Sequence, residues 1–74
     1  MNNVEERVIA IVEDASDKAG LGLDTNIVSD LGFDSLDRLD LYMSIEDEFE
    51  VEISDRQAVE IRTIQDIVNI VRGL

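Results

Sequence analysis

The sequence predicts an all-α fold, a small four-helix bundle with a long first loop and a short third helix. Apolar residues recur at helical spacing in separate segments, capping residues precede those segments, and no turn signal bounded by strands is found. At 74 residues the chain is shorter than an average domain, so residues 1–74 are expected to form a single domain.

The first helix is predicted from about residue 3 to 17. Asn3 and Glu6 have the spacing of an N-cap and its third helical residue, and the apolar residues that follow repeat at helical period. Residues 8–12 are all apolar and could also form a buried strand, but the cap and the longer period favour a helix. Gly20-Leu21-Gly22 is expected to end the helix. Six apolar residues of the following loop are expected to anchor it to the core: Leu21, Leu23, Ile27, Val28, Leu31 and Phe33.

The second helix is predicted from Ser35 to about Glu50, with Asp34 as its N-cap. At 100° per residue its apolar side chains fall into two groups. One group is expected in the core: Leu41, Tyr42, Ile45 and Phe49. The other lies on nearly the opposite side: Leu36, Leu39 and Met43. This second group either forms an exposed docking strip or packs under the long loop, and stripe geometry alone does not decide between them.

Two shorter helices complete the prediction. The third opens at Ser54 with Gln57 as its capping-box partner, and the fourth opens at Thr63 with Asp66 three residues on. The fourth carries an apolar stripe made of Ile64, Ile67, Val68 and Val71.

Composition excludes several classes of function. Eighteen acidic residues against six basic ones give a net charge of −12, which argues against nucleic acid as a partner and favours basic protein patches. Without Cys or His, neither a thiolate metal site nor a base–nucleophile pair can form. No residue is therefore assigned as a metal ligand, and the chain is predicted not to be an enzyme. Neither a secretory signal nor an apolar run of the ~18 residues of a membrane span is found, so a cytoplasmic location is expected.

Asp34-Ser35 stands where the second helix begins. A phosphate bound or attached there would be stabilised by the free amides and the positive end of the helix dipole. Taken alone, Asp34-Ser35 is a weak signal, because serine at such a position more often does no more than help start the helix.

The stretch from Asp30 to Asp37, Asp-Leu-Gly-Phe-Asp-Ser-Leu-Asp, resembles the signature of acyl carrier proteins. Length, acidity and helix order are also similar to that family. Further similarities are found at Met43, at residues 46–49 and at residues 63–66. The resemblance therefore covers nearly the whole chain.

This resemblance implies a carrier whose Ser35 receives 4′-phosphopantetheine from coenzyme A through a separate phosphopantetheinyl transferase. The arm would hold acyl chains as thioesters and present them to acyl-transfer and chain-elongation enzymes of fatty acid or polyketide-type biosynthesis. The protein is expected to be a monomer. The alternatives are an aminoacyl or peptidyl carrier and an unmodified acidic interaction module.

The resemblance also implies a docking surface on the second helix. Its acidic members would meet basic patches on partners: Asp34, Asp37, Asp40, Glu46 and Asp47. Its apolar members would contact partners directly: Leu36, Leu39 and Met43. The sequence departs from the family pattern at Arg38, where a small or polar residue is usual, and at Ser54, Arg56 and Val59, which raises the expectation of a changed partner set.

Overall fold

The computed structural model describes residues 3–74 and contains four α-helices. They are α1 (Val4–Ser16), α2 (Ser35–Phe49), α3 (Asp55–Glu60) and α4 (Ile64–Arg72). The predicted all-α bundle with a long first loop and a short third helix is therefore confirmed. Over the described residues, no helix is both long enough and apolar enough to cross a membrane.

The predicted helix starts are confirmed by their caps. Asn3 Oδ1 accepts a hydrogen bond of 2.7 Å from the amide of Glu6. Ser54 with Gln57, and Thr63 with Asp66, form reciprocal capping boxes in which each pair exchanges side chain-to-amide hydrogen bonds.

The end of α1 differs from the prediction. The helix stops at Ser16, and Asp17 occupies the left-handed conformation at φ 58° that ends it. Gly20 is also left-handed but lies three residues further on, within the loop. Aspartate tolerates this conformation better than most residues because its short polar side chain can hydrogen-bond locally, so the glycine was not needed at the helix end.

The long loop is held to the segment that precedes α4. The Ile27 amide donates to the carbonyl of Arg62 at 2.9 Å, and the Ile64 amide donates to the carbonyl of Thr25 at 3.1 Å. An isolated antiparallel bridge joins Asn26 and Thr63 between these bonds. The loop thus has a fixed path toward the start of α2.

The core is made of eleven buried apolar residues from α1, the loop, α2 and the segment leading into and through α4: Val8, Val12, Ile27, Phe33, Leu41, Tyr42, Ile45, Ile61, Ile64, Ile67 and Val68. Five of the six loop residues predicted to anchor the loop are buried or packed against this core. Val28 is the exception, being 46% exposed, because it lies in the turn that Asn26 closes by accepting from the amides of Val28 and Ser29. That part of the prediction was wrong.

Candidate functional site

The start of α2 is fixed by two aspartates. Asp34 Oδ1 accepts from the amide of Asp37 at 2.9 Å, and Asp37 Oδ2 accepts from the amide of Asp34 at 3.1 Å. The predicted N-cap is thus confirmed, but its reciprocal half was not predicted because the usual box has Glu or Gln at the third position. Phe33, immediately before the cap, is buried in the core.

Hydrogen bonds from this first turn lower the pKa of Asp34 below its usual 3.8, the largest contribution coming from the Asp37 amide. Asp34 is therefore a carboxylate at neutral pH. Because the two aspartates use the amides of Asp34 and Asp37, those donors are not available to a phosphate, contrary to the expectation that all first-turn amides would be free.

Ser35 is the first residue of α2 and its side chain is exposed. Its Oγ lies 3.5 Å from Nη2 of Arg38, one turn along the helix. Arg38 Nε in turn lies 3.4 Å from the carbonyl oxygen of Asp34. A cation therefore lies next to the hydroxyl that the sequence singled out.

A shallow groove of about 200 Å³ runs beside Ser35, between α2 and α3. It is lined by residues of both helices: Ser35, Arg38, Leu39, Tyr42, Ala58 and Val59. Tyr42 is only 7% exposed, and its hydroxyl is buried with no hydrogen-bond partner among residues 3–74. Burial raises the pKa of Tyr42 above its usual 10.0, and the nearby Arg38 guanidinium opposes that rise.

The second apolar group of α2 faces outward. Leu36, Leu39 and Met43 are 72%, 55% and 57% exposed. The interpretation that they pack under the long loop is therefore wrong. We call these three residues the apolar strip.

The predicted acidic residues fall into two kinds. Asp40 and Asp47 are exposed and make no side-chain hydrogen bond within the described chain. Glu46 is half-buried, and its carboxylate accepts from the Ile53 amide at 2.8 Å. Glu46 therefore also holds the α2–α3 connection, as Asp37 also holds the start of α2.

Three residues near Ser35 were missed as site residues. Tyr42 was assigned to the core from its period, and Arg38 was noted only as a departure from a family pattern. Val59 is 79% exposed and lies across the groove from Leu39. A six-residue helix such as α3 is too short for a period to show which face it presents.

No group of three or more acidic side chains in the described part of the chain is arranged to hold a metal ion.

Residues 6–71 match the family model described as a phosphopantetheine attachment site. An acyl carrier protein of Buchnera aphidicola is 38% identical over 75 residues, covering 99% of this chain and 94% of the relative. A solved structure from Mycobacterium tuberculosis, described as a candidate acyl carrier protein, superposes with a TM-score of 0.90 at 35% identity, covering 96% of this chain and 97% of the other. The acyl carrier protein of Thermotoga maritima superposes with a TM-score of 0.78 at 36% identity, covering 95% of this chain and 88% of the other.

The chain therefore belongs to the acyl carrier protein family. It is a carrier, not an enzyme, and its cofactor is 4′-phosphopantetheine.

Proposed function

We propose that this protein carries acyl chains as thioesters on a 4′-phosphopantetheine arm attached to Ser35, in cytoplasmic fatty acid or polyketide-type biosynthesis. The observation that carries the assignment is the exposed Ser35 hydroxyl on the first turn of α2, directly after the Asp34 cap. The sequence around it is the Asp-Ser-Leu stretch that resembles the family signature.

The residues around Ser35 fit a phosphodiester. The hydroxyl points away from the core, so an attached arm would not displace a packed side chain. Arg38 supplies a positive charge 3.5 Å from the oxygen that would carry the phosphorus. In the attachment step, Ser35 Oγ would bond to the phosphorus of coenzyme A that carries the pantetheine group, the pyrophosphate bond would break, and 3′,5′-ADP would leave. The transferase would accept the hydroxyl proton, since this chain has no histidine or cysteine to do so.

When bound, the arm supplies a terminal thiol that holds acyl groups as thioesters. This chain contributes the anchoring hydroxyl and a surface that partners recognise. We propose that the apolar strip, together with Asp34, Asp37, Asp40, Glu46 and Asp47, forms that surface.

The layout of this surface supports the docking proposal. An exposed apolar strip with a charged rim is typical of protein interfaces, in which apolar contacts lie centrally and charges steer the approach. The partners would be a phosphopantetheinyl transferase and acyl-transfer and elongation enzymes, each with a basic patch facing α2. The protein would meet them as a monomer.

Intact mass after incubation with coenzyme A and a broad-specificity transferase tests the attachment site. We expect wild type and Ser44→Ala to gain the arm and Ser35→Ala to gain nothing. Ser44 is a matched control because it is exposed on the same helix. A helical circular-dichroism spectrum would show that Ser35→Ala is folded, and a folded Ser35→Ala that still gained the arm would contradict the proposal.

A further inference from the structure

Arg38 is an arginine without a carboxylate partner in a strongly acidic chain. The two ion pairs within residues 3–74 are Arg7–Glu48 and Arg72–Glu5, each with an N–O distance of 2.6 Å. In that same part of the chain, no carboxylate lies within 4.0 Å of the Arg38 guanidinium, which instead lies by a backbone carbonyl and Ser35 Oγ. Eighteen carboxylates are present, so this placement leaves the charge of Arg38 free to meet another anion.

Tyr42 shows what else surrounds the Arg38 guanidinium. It lies one turn beyond Arg38 on the same face of α2 and also lines the groove. Its hydroxyl is buried, and the nearby Arg38 guanidinium opposes the rise that burial causes in the pKa of Tyr42. The groups closest to the guanidinium are therefore neutral oxygens, and none of them balances its charge.

The charges around Ser35 give Arg38 its role. Asp34 and Asp37 place two carboxylates in the same turn, and both are turned toward backbone amides. A phosphodiester attached to Ser35 would add a third negative charge there and would be repelled unless a cation balanced it. Arginine is well suited to this, because its planar guanidinium matches two phosphate oxygens at once.

We propose that Arg38 is a positioning residue that pairs with the phosphodiester of the arm on Ser35. The proposal rests on attachment at Ser35.

The test uses protein labelled with ¹⁵N-arginine, before and after attachment of the arm. Arg38→Lys removes one Nε–Hε signal and so identifies it. We expect the Arg38 signal to shift on attachment and its hydrogen exchange to slow, while the signal of Arg62, an exposed arginine between α3 and α4, stays in place. An Arg38 signal that did not change on attachment would overturn the proposal. This comparison needs the arm on wild-type protein only, because Arg38→Lys serves just to assign the signal.

Phosphorus NMR of the modified protein gives a second measurement. We expect the phosphodiester resonance to shift in Arg38→Gln but not in Arg62→Gln, which removes the same charge elsewhere. The same resonance in wild type and Arg38→Gln would contradict the pairing. Failure of attachment at Ser35 is recognised separately, because intact mass would then show no arm on wild type or an arm on Ser35→Ala.

Discussion

Helices α2 and α4 share the same type of cap and the same helical spacing of apolar residues, but they differ in how many of those residues are buried. Both begin with a reciprocal capping box, and both carry apolar residues at helical spacing. In α4, Ile64, Ile67 and Val68 are all 0% exposed. In α2 the apolar residues are divided, since Leu41 and Ile45 are buried while the apolar strip is more than half exposed. These apolar residues of α4 thus stabilise the core, whereas α2 also exposes apolar residues that can contact a partner.

The largest expected effect is on the free energy of unfolding, and it distinguishes a core residue of α4 from a residue of the apolar strip. We expect Ile67→Ala to lower the free energy of unfolding by about 2–5 kcal/mol, because it leaves a cavity at a fully buried position. Leu39→Ala, at a position that is 55% exposed, should change it by less than about 0.5 kcal/mol. Urea denaturation followed by circular dichroism measures both.

The same pair should behave in the opposite way in binding. Leu39→Ala should weaken affinity for the transferase, while the milder Ile67→Val, which is expected to stay folded, should leave affinity near that of wild type. Ile67→Val is needed because so small a core supplies only about 3–5 kcal/mol in total, so Ile67→Ala could unfold the chain. Loss of stability in Leu39→Ala without loss of affinity would show that the strip is structural.

A smaller effect should come from the acidic rim of α2. We expect Asp47→Lys to weaken transferase binding by about two- to tenfold at low salt, because an exposed charge pair contributes up to ~1 kcal/mol and reversal also introduces repulsion. Asp47 suits the test because it is exposed, whereas Asp37 and Glu46 also hold backbone amides.

Asp24→Lys is the matched control, since it makes the same change of charge in the long loop. Affinity is measured from low salt to 0.5 M NaCl. The affinities of Asp47→Lys and wild type should converge as salt rises, because salt screens exposed charges. Equal weakening by both variants would indicate attraction by net charge alone, and no weakening by either would exclude the acidic rim from docking.

Local chemistry explains why the helices could be predicted. Caps such as Asn3, Asp34, Ser54 and Thr63 act within three residues, so a linear reading is enough to find them. The division of the α2 apolar residues also follows from period. The helical period did not show whether the apolar strip faces solvent or packs against the loop, because that depends on the path of the loop.

The path of the loop depends on contacts distant in sequence. The Ile27 amide donates to the Arg62 carbonyl, and the Thr25 carbonyl accepts from the Ile64 amide, so each bond joins residues more than thirty positions apart. These are backbone groups, and no side-chain pattern in the sequence indicates that they pair. The groove at Ser35 was missed for the same reason. Tyr42 has the period of a core residue and is buried as predicted, yet it also lines a groove completed by α3.

The smallest expected effect compares the caps of α2 and α4 as pH falls. Asp34 has a pKa lowered below 3.8 in the folded protein, so its cap stabilises the fold above its ordinary pKa and loses this contribution as pH falls through the lowered value. We therefore expect Asp34→Ala to be destabilising at pH 7 and to approach wild type below roughly pH 4. The Thr63 hydroxyl does not titrate in this range, so Thr63→Ala should cost about 1 kcal/mol throughout.

For each variant, the free energy of unfolding is compared with that of wild type at the same pH. This difference removes the effect of neutralising the other carboxylates, which both proteins share. The measurement is urea denaturation in dilute samples from pH 7 downward, because the protein approaches zero net charge near its pI of about 4.1 and could then associate. A difference for Asp34→Ala that stayed constant while Asp34 became protonated would show that the aspartate caps α2 equally well in that form. The two caps would then be equivalent. The negative charge of Asp34 would in that case contribute to docking and not to capping.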